Sequence, residues 1–100
     1  MILTNITLTA YCACTLCCGS NASGICADGH PPRQGITIAA SRRIPLGTHV
    51  LISGHEYIVQ DRLSKKFDSR IDIYFNNHKD ALRFGKQTNN VIINSPKSHN

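Results

Sequence analysis

The stretch Arg70-Ile71-Asp72-Ile73-Tyr74-Phe75 alternates in polarity, with Ile71, Ile73 and Phe75 on one face and Arg70, Asp72 and Tyr74 on the other. Alternation of this kind, rich in β-branched and aromatic side chains, predicts a half-buried strand. A carboxylate flanked in sequence by two core-facing isoleucines must look onto solvent or a cleft, because an unpaired charge is not tolerated in an apolar core. The same period of two runs through residues 3–10, where Leu3, Asn5, Thr7 and Thr9 alternate with Thr4, Ile6, Leu8 and Ala10. Further strands are expected at 36–40, 49–52, 57–61 and 88–93, with turns at Pro45-Leu46-Gly47 and Ser53-Gly54.

One segment follows a different period. In Asn77-His78-Lys79-Asp80-Ala81-Leu82-Arg83-Phe84-Gly85, the spacing brings Ala81, Leu82 and Phe84 close together on a helical surface, with Asn77 as N-cap and Gly85 as the stop. Six strands and one short helix in so short a chain predict an all-β fold, a small closed barrel whose closure removes exposed strand edges.

The length of 100 residues allows a single domain over 1–100, with a flexible tail from about residue 94. At 41% hydrophobic and 17% charged the chain can build a core, yet no run of eighteen apolar residues exists to span a bilayer. The net charge of +5 is uneven: residues 1–40 carry only Asp28 and Arg33, and all other charged residues follow. That excess suits contact with a polyanion such as nucleic acid, anionic lipid or an acidic cell-wall polymer, or simply a solvated basic face. Aromatic residues are not interleaved among the basic ones, so a nucleic-acid platform is not favoured. No basic n-region followed by a long apolar stretch and a cleavage site is visible at the start, which leaves localisation open.

Cys12, Cys14, Cys17, Cys18 and Cys26 form the densest chemical cluster in the chain. Zinc could be held by Cys12 or Cys14 with Cys17 or Cys18, Cys26 and His30, but a second knuckle of fixed spacing is missing. Disulfides would leave an odd thiol, and thiols without any role are a third reading. No histidine stands in a recognisable sequence relation to these cysteines, which disfavours a cysteine nucleophile. The reading without a cofactor is retained.

Acid/base chemistry has few candidates, and Asp61 and Asp72 stand out among them. Asp61 ends the strand Tyr57-Ile58-Val59-Gln60-Asp61, and if its strand neighbours the one carrying Asp72 the two carboxyls can share a site. Two carboxylates in proximity hold one proton more tightly than either would alone, which keeps a neutral acid near pH 7. Cleavage of a glycosidic bond needs such an acid to protonate the leaving oxygen. The alternative is that Asp61 pairs with Arg62 or Arg70 in a surface ion pair. Thr9 and Tyr11 fall on one face of the first strand and could bind a sugar. Arg62 and Arg70, beside the two aspartates, are the further substrate-binding candidates.

Several stretches together resemble the 3D (three-aspartate) domain: Gly35-Ile-Thr-Ile-Ala-Ala40, Ile44-Pro-Leu-Gly-Thr48, Val59-Gln-Asp61, Arg70-Ile-Asp-Ile-Tyr-Phe75 and Ala81-Leu-Arg-Phe-Gly85. The resemblance covers residues 7–93 and includes the opening Thr9-Ala10-Tyr11. It implies a six-stranded double-psi β-barrel, as in membrane-bound lytic transglycosylase A, the muralytic proteins of the stationary-phase survival type and rare lipoprotein A. It also implies cleavage of the MurNAc–GlcNAc bond of peptidoglycan without water, at the cell wall or periplasm; a monomer is expected. In this resemblance Asp61 matches the central aspartate, the general acid and then base, and Asp72 matches the third. The first does not carry over, since Ala39-Ala40-Ser41 stands where the family has Val-Asp-Pro. The Gly-rich stretch after the central aspartate is likewise replaced by Arg62-Leu-Ser-Lys-Lys66. A non-catalytic glycan- or protein-binding barrel is therefore the alternative.

Overall fold

The computed structural model describes residues 2–12, 25–63 and 69–94. The strands are β1 (Ile2–Tyr11), β2 (Thr37–Ala40), β3 (His49–Ile52), β4 (His55–Arg62), β5 (Arg70–Tyr74) and β6 (Gln87–Asn94), with the helix α1 (His78–Phe84) between the last two. They close into a barrel in the order β1-β5-β2-β4-β3-β6. The expected six-stranded all-β barrel with one short helix is thus the fold of the chain. The β1–β5 and β2–β4 pairs are parallel and the other four are antiparallel, so strands distant in sequence become neighbours.

Local chemistry explains the joints. Ser53 and Gly54 both take positive φ, 50° and 80°, the backbone of the tight two-residue hairpin that joins β3 to β4. Pairing consequently begins at once, Ile52 opposite His55, which makes β4 longer than the alternation alone predicts. At the Pro45–Thr48 turn, Gly47 has φ 90° and Thr48 closes the turn through both its N–H and its hydroxyl onto the Pro45 carbonyl, at 3.2 and 2.7 Å. In α1 the Asn77 side chain accepts from the Asp80 N–H at 3.1 Å, and Gly85 N–H bonds back to the Ala81 carbonyl at 3.2 Å.

The core consists of Leu8, Ile38, Ala40, Val50, Ile52, Val59, Ile71, Ile73 and Val91, one or two from each strand. These inward residues are the alternate positions of the sequence pattern, and burying them removes the apolar area that drives closure. The helix contributes buried Ala81 and half-buried Phe84, whose ring lies 5.4 Å from that of Phe75. Leu82, grouped with them by spacing, is 67% exposed, because each helical step turns about 100° and carries it off the packed side. Tyr74 also departs from the alternation. It is on the outer face of β5 but buried there by an edge-on contact with Tyr11, centroids 5.5 Å apart.

Candidate active site

Asp61 and Asp72 both come to lie opposite Ala39. Ala39 of β2 pairs with Asp72 of β5 on one side and with Asp61 of β4 on the other. Directly opposed residues share a face of the sheet, so the two carboxyls emerge on the same outer surface, their Cα atoms two strand spacings or roughly 10 Å apart. Ala39, 3% exposed, is the floor between them.

A bulge makes this possible. Val59 points into the core, and strict alternation would send Asp61 inward after it. The β2–β4 register shifts between Ile38, opposite Val59, and Ala39, opposite Asp61, so that Gln60 is the extra residue. An inserted residue of this kind re-aims the next side chain, and here it turns Asp61 outward. The Gln60 side chain is itself tied down, accepting from the Thr37 hydroxyl at 2.6 Å.

β1 supplies a hydroxyl to each carboxyl. Thr9 is in register with Asp72 and its hydroxyl donates to Asp72 Oδ1. Tyr11, two residues on and therefore on the same face, reaches Asp61 Oδ2 with its hydroxyl at 3.3 Å. The remaining oxygen of Asp61, Oδ1, accepts from the backbone N–H groups of Ala27 and Arg62 at 3.0 and 2.9 Å. Asp61 is thus surrounded by three donors that complement a negative charge.

Burial raises the Asp72 carboxyl above the usual carboxylate range, and the Asp61 charge raises it further, while the Thr9 hydrogen bond and Arg70 oppose the shift. Burial also pushes the Tyr11 phenol far up, with Asp61, Cys26 and Asp72 adding to it, so the hydroxyl stays protonated and remains a donor. The Cys26 thiol, buried beside Asp61 and Asp28, is pushed up to about 12 and is a neutral thiol at physiological pH.

The turn at 26–30 forms a wall of the site that sequence reading does not anticipate. Cys26 N–H bonds to the His30 carbonyl at 2.8 Å and Gly29 N–H to the Cys26 carbonyl at 2.9 Å, while Asp28 N–H docks the turn on the Gln60 carbonyl at 3.1 Å. This is how the Ala27 amide arrives at Asp61. A backbone donor leaves no trace in residue type; the dipeptide Asp28-Gly29, a turn-forming pair, is a signal that could locate the turn.

The arginines differ in position. The Arg62 guanidinium donates to the Ser41 and Ile44 carbonyls at 2.8 and 2.5 Å, and so holds the loop after β2. Arg70 opens β5 two residues before Asp72 and acts on it electrostatically. Ala40, where the resembled family has its first aspartate, is fully buried in the core, so the position offers no group to the outer face.

Cys14, Cys17 and Cys18 lie outside the described residues, as do residues 95–100, on which most of the expected tail falls. Cys12 and Cys26 are both buried. The Cys12 sulfur lies 3.5 Å from His78 Nδ1, a proximity the sequence spacing does not reveal. Among the described residues no group of three or more His, Cys, Asp or Glu side chains comes together to hold a metal ion. Among them, too, no helix is long and apolar enough to cross a membrane.

No family model matches the chain. Over 90 residues, 88% of its length, the chain is 32% identical to the cell wall shaping protein YabE of Bacillus subtilis (strain 168). It spans 22% of that relative's length.

Proposed function

We propose that this barrel cleaves peptidoglycan as a lytic transglycosylase, breaking the MurNAc–GlcNAc glycosidic bond with Asp72 and Asp61. The observation that carries the reading is the placement of two carboxyls from separate strands on one outer face, on either side of Ala39, with Asp72 partly desolvated and Asp61 ringed by donors. Similarity to a protein named for shaping the cell wall supports the substrate class.

The environments favour giving the proton to Asp72, whereas the family resemblance alone assigns the acid/base role to Asp61. Neutral Asp72 protonates the glycosidic oxygen as the C1–O bond breaks, and the sugar passes through an oxocarbenium-like state. The fixed charge of Asp61 stabilises that positive centre. The C6 hydroxyl of MurNAc then closes on C1 and yields its proton to the Asp72 carboxylate. The product is a 1,6-anhydro sugar, no water is consumed, and Asp72 is protonated again for the next cycle. The basic excess of the chain beyond residue 40 assists docking on an anionic wall. Action at the cell wall or periplasm is part of this proposal.

Incubation of purified wall with the protein is expected to release anhydro-muropeptides detectable by mass spectrometry. Their absence from a folded preparation counts against the enzyme.

A second reading, a non-catalytic glycan- or protein-binding barrel, is favoured by Ala40, whose burial removes one acidic group of the resembled site. Replacing Asp72 with Asn separates the two. Both readings retain wall binding, and only the enzyme has turnover to lose.

A further inference from the structure

The two hydroxyls that β1 places on the site face are bonded to protein carboxyls, one to each. They are therefore engaged before any sugar arrives, and with opposite consequences. We propose that Thr9 and Tyr11 are positioning residues rather than primary substrate contacts. Tyr11 fixes the orientation of the Asp61 carboxyl, and Thr9 fixes that of Asp72 by donating to its Oδ1. This inference rests on the two-carboxylate reading above and deepens it.

The groups around each partner can be named from every neighbouring element. Asp72 is faced by Thr9 from β1, by Asp61 from β4, by Arg70 on its own strand and by the uncharged Ala39 from β2. Tyr11 is faced by Asp61 from β4, by Cys26 from the 26–30 turn, and by Asp72 and Tyr74 from β5. The Tyr11 hydroxyl is a side-chain donor to Asp61, whereas the Ala27 and Arg62 donors are backbone amides that mutation cannot readily remove. A phenol kept protonated by its burial and its acidic neighbours donates throughout the working pH range. It fixes the Asp61 carboxyl in one orientation on the face it shares with Asp72, where the Asp61 charge disfavours ionisation of Asp72. The Thr9 hydroxyl works against it, because a donor to Asp72 favours the ionised form. Two hydroxyls two residues apart on one strand thus act in opposite directions on a single proton.

The test reads the titration of Asp72 directly, from its carboxyl 13C shift with the resonance assigned by Asp72→Asn. Tyr11→Phe keeps the ring against Tyr74 and removes only the hydroxyl. Thr9→Val keeps the branched shape in the strand. Tyr11→Phe is expected to move the Asp72 midpoint down and Thr9→Val to move it up. In wall digestion Tyr11→Phe is expected to lower kcat roughly tenfold with KM nearly unchanged, and to shift the pH limb set by Asp72 in the same downward direction. A purely structural role would not move the midpoint in opposite directions in the two variants. If folded Tyr11→Phe leaves the Asp72 midpoint in place, or if both variants move it the same way, the inference is overturned. Opposite shifts in a protein that releases no anhydro-muropeptides uphold the positioning roles and overturn the peptidoglycan-cleaving reading instead.

Discussion

Asp61 and Asp72 stand one strand apart in the barrel wall, each opposite Ala39 and each bonded to a different hydroxyl of β1. The strand between them presents only a methyl group to the site. The carboxyls therefore differ in their surroundings, not in their distance from the barrel surface. Asp61 accepts from a phenol and two backbone amides, while Asp72 accepts from Thr9 and is shifted chiefly by its partial burial.

From this asymmetry, Asp72→Asn is expected to reduce release of anhydro-muropeptides by about 100-fold or more, since loss of a general acid removes about that much rate. Asp61→Asn keeps the proton donor and loses the fixed charge, so its defect is expected to be smaller. Turnover assays on purified wall, with pelleting to confirm retained binding, measure both. Equal, wild-type turnover in the two variants would eliminate a carboxyl mechanism.

The same carboxyl makes stability depend on pH in an unusual direction. Asp72 has its folded-state affinity for a proton raised by burial, so its favourable contribution is fully present below the unfolded carboxylate range. That contribution is lost as pH rises through the elevated folded value, where the buried group must ionise. Asp72→Asn removes the penalty, and the variant is expected to melt higher than wild type at pH 7, with the advantage fading on acidification toward pH 4. Paired thermal melts across that range give the answer; a variant less stable at pH 7 contradicts the assigned direction.

Arg62 ties the end of β4 to the loop after β2 through two carbonyls. Arg62→Met preserves the stem but leaves the Ser41 and Ile44 carbonyls without that donor, at a cost of about 1–3 kcal/mol in unfolding free energy. Urea titration reads the change. A loss of wall binding with stability unaltered would instead mark the guanidinium as a substrate contact.

Ile38 is fully buried at the centre of the core and is also the last residue before the β2–β4 register shift. Ile38→Ala is expected to destabilise the barrel by about 2–5 kcal/mol, the usual range for a large-to-small core substitution. Because the cavity opens directly beneath Ala39, turnover should fall even at temperatures where the variant remains folded. Urea unfolding combined with wall digestion at low temperature separates the two effects.

Much of the architecture was legible in short-range pattern. The alternation at 70–75, the Ser53-Gly54 turn, and Asn77 and Gly85 bounding the helix are all local features, and the elements they predict lie where expected. Thr9 and Tyr11 were likewise readable as residues of one face. Leu82 and Tyr74 were not placed correctly by period alone, because whether a helical side or an outer strand face is covered depends on what packs there.

The amino-acid order by itself determined the strands, the helix, the turns and the outward direction of Asp72, since each follows from backbone sterics and the burial of alternate apolar side chains. Tertiary structure alone decided that β4 and β5 flank β2, which rests on pairings between distant segments that no local window contains. It also decided that the Asp61 carboxyl reaches the same face as that of Asp72. By alternation Asp61 follows Val59 inward, and only the bulge at Gln60, stabilised where two strands meet in parallel, turns its carboxyl out to face the same surface as Asp72.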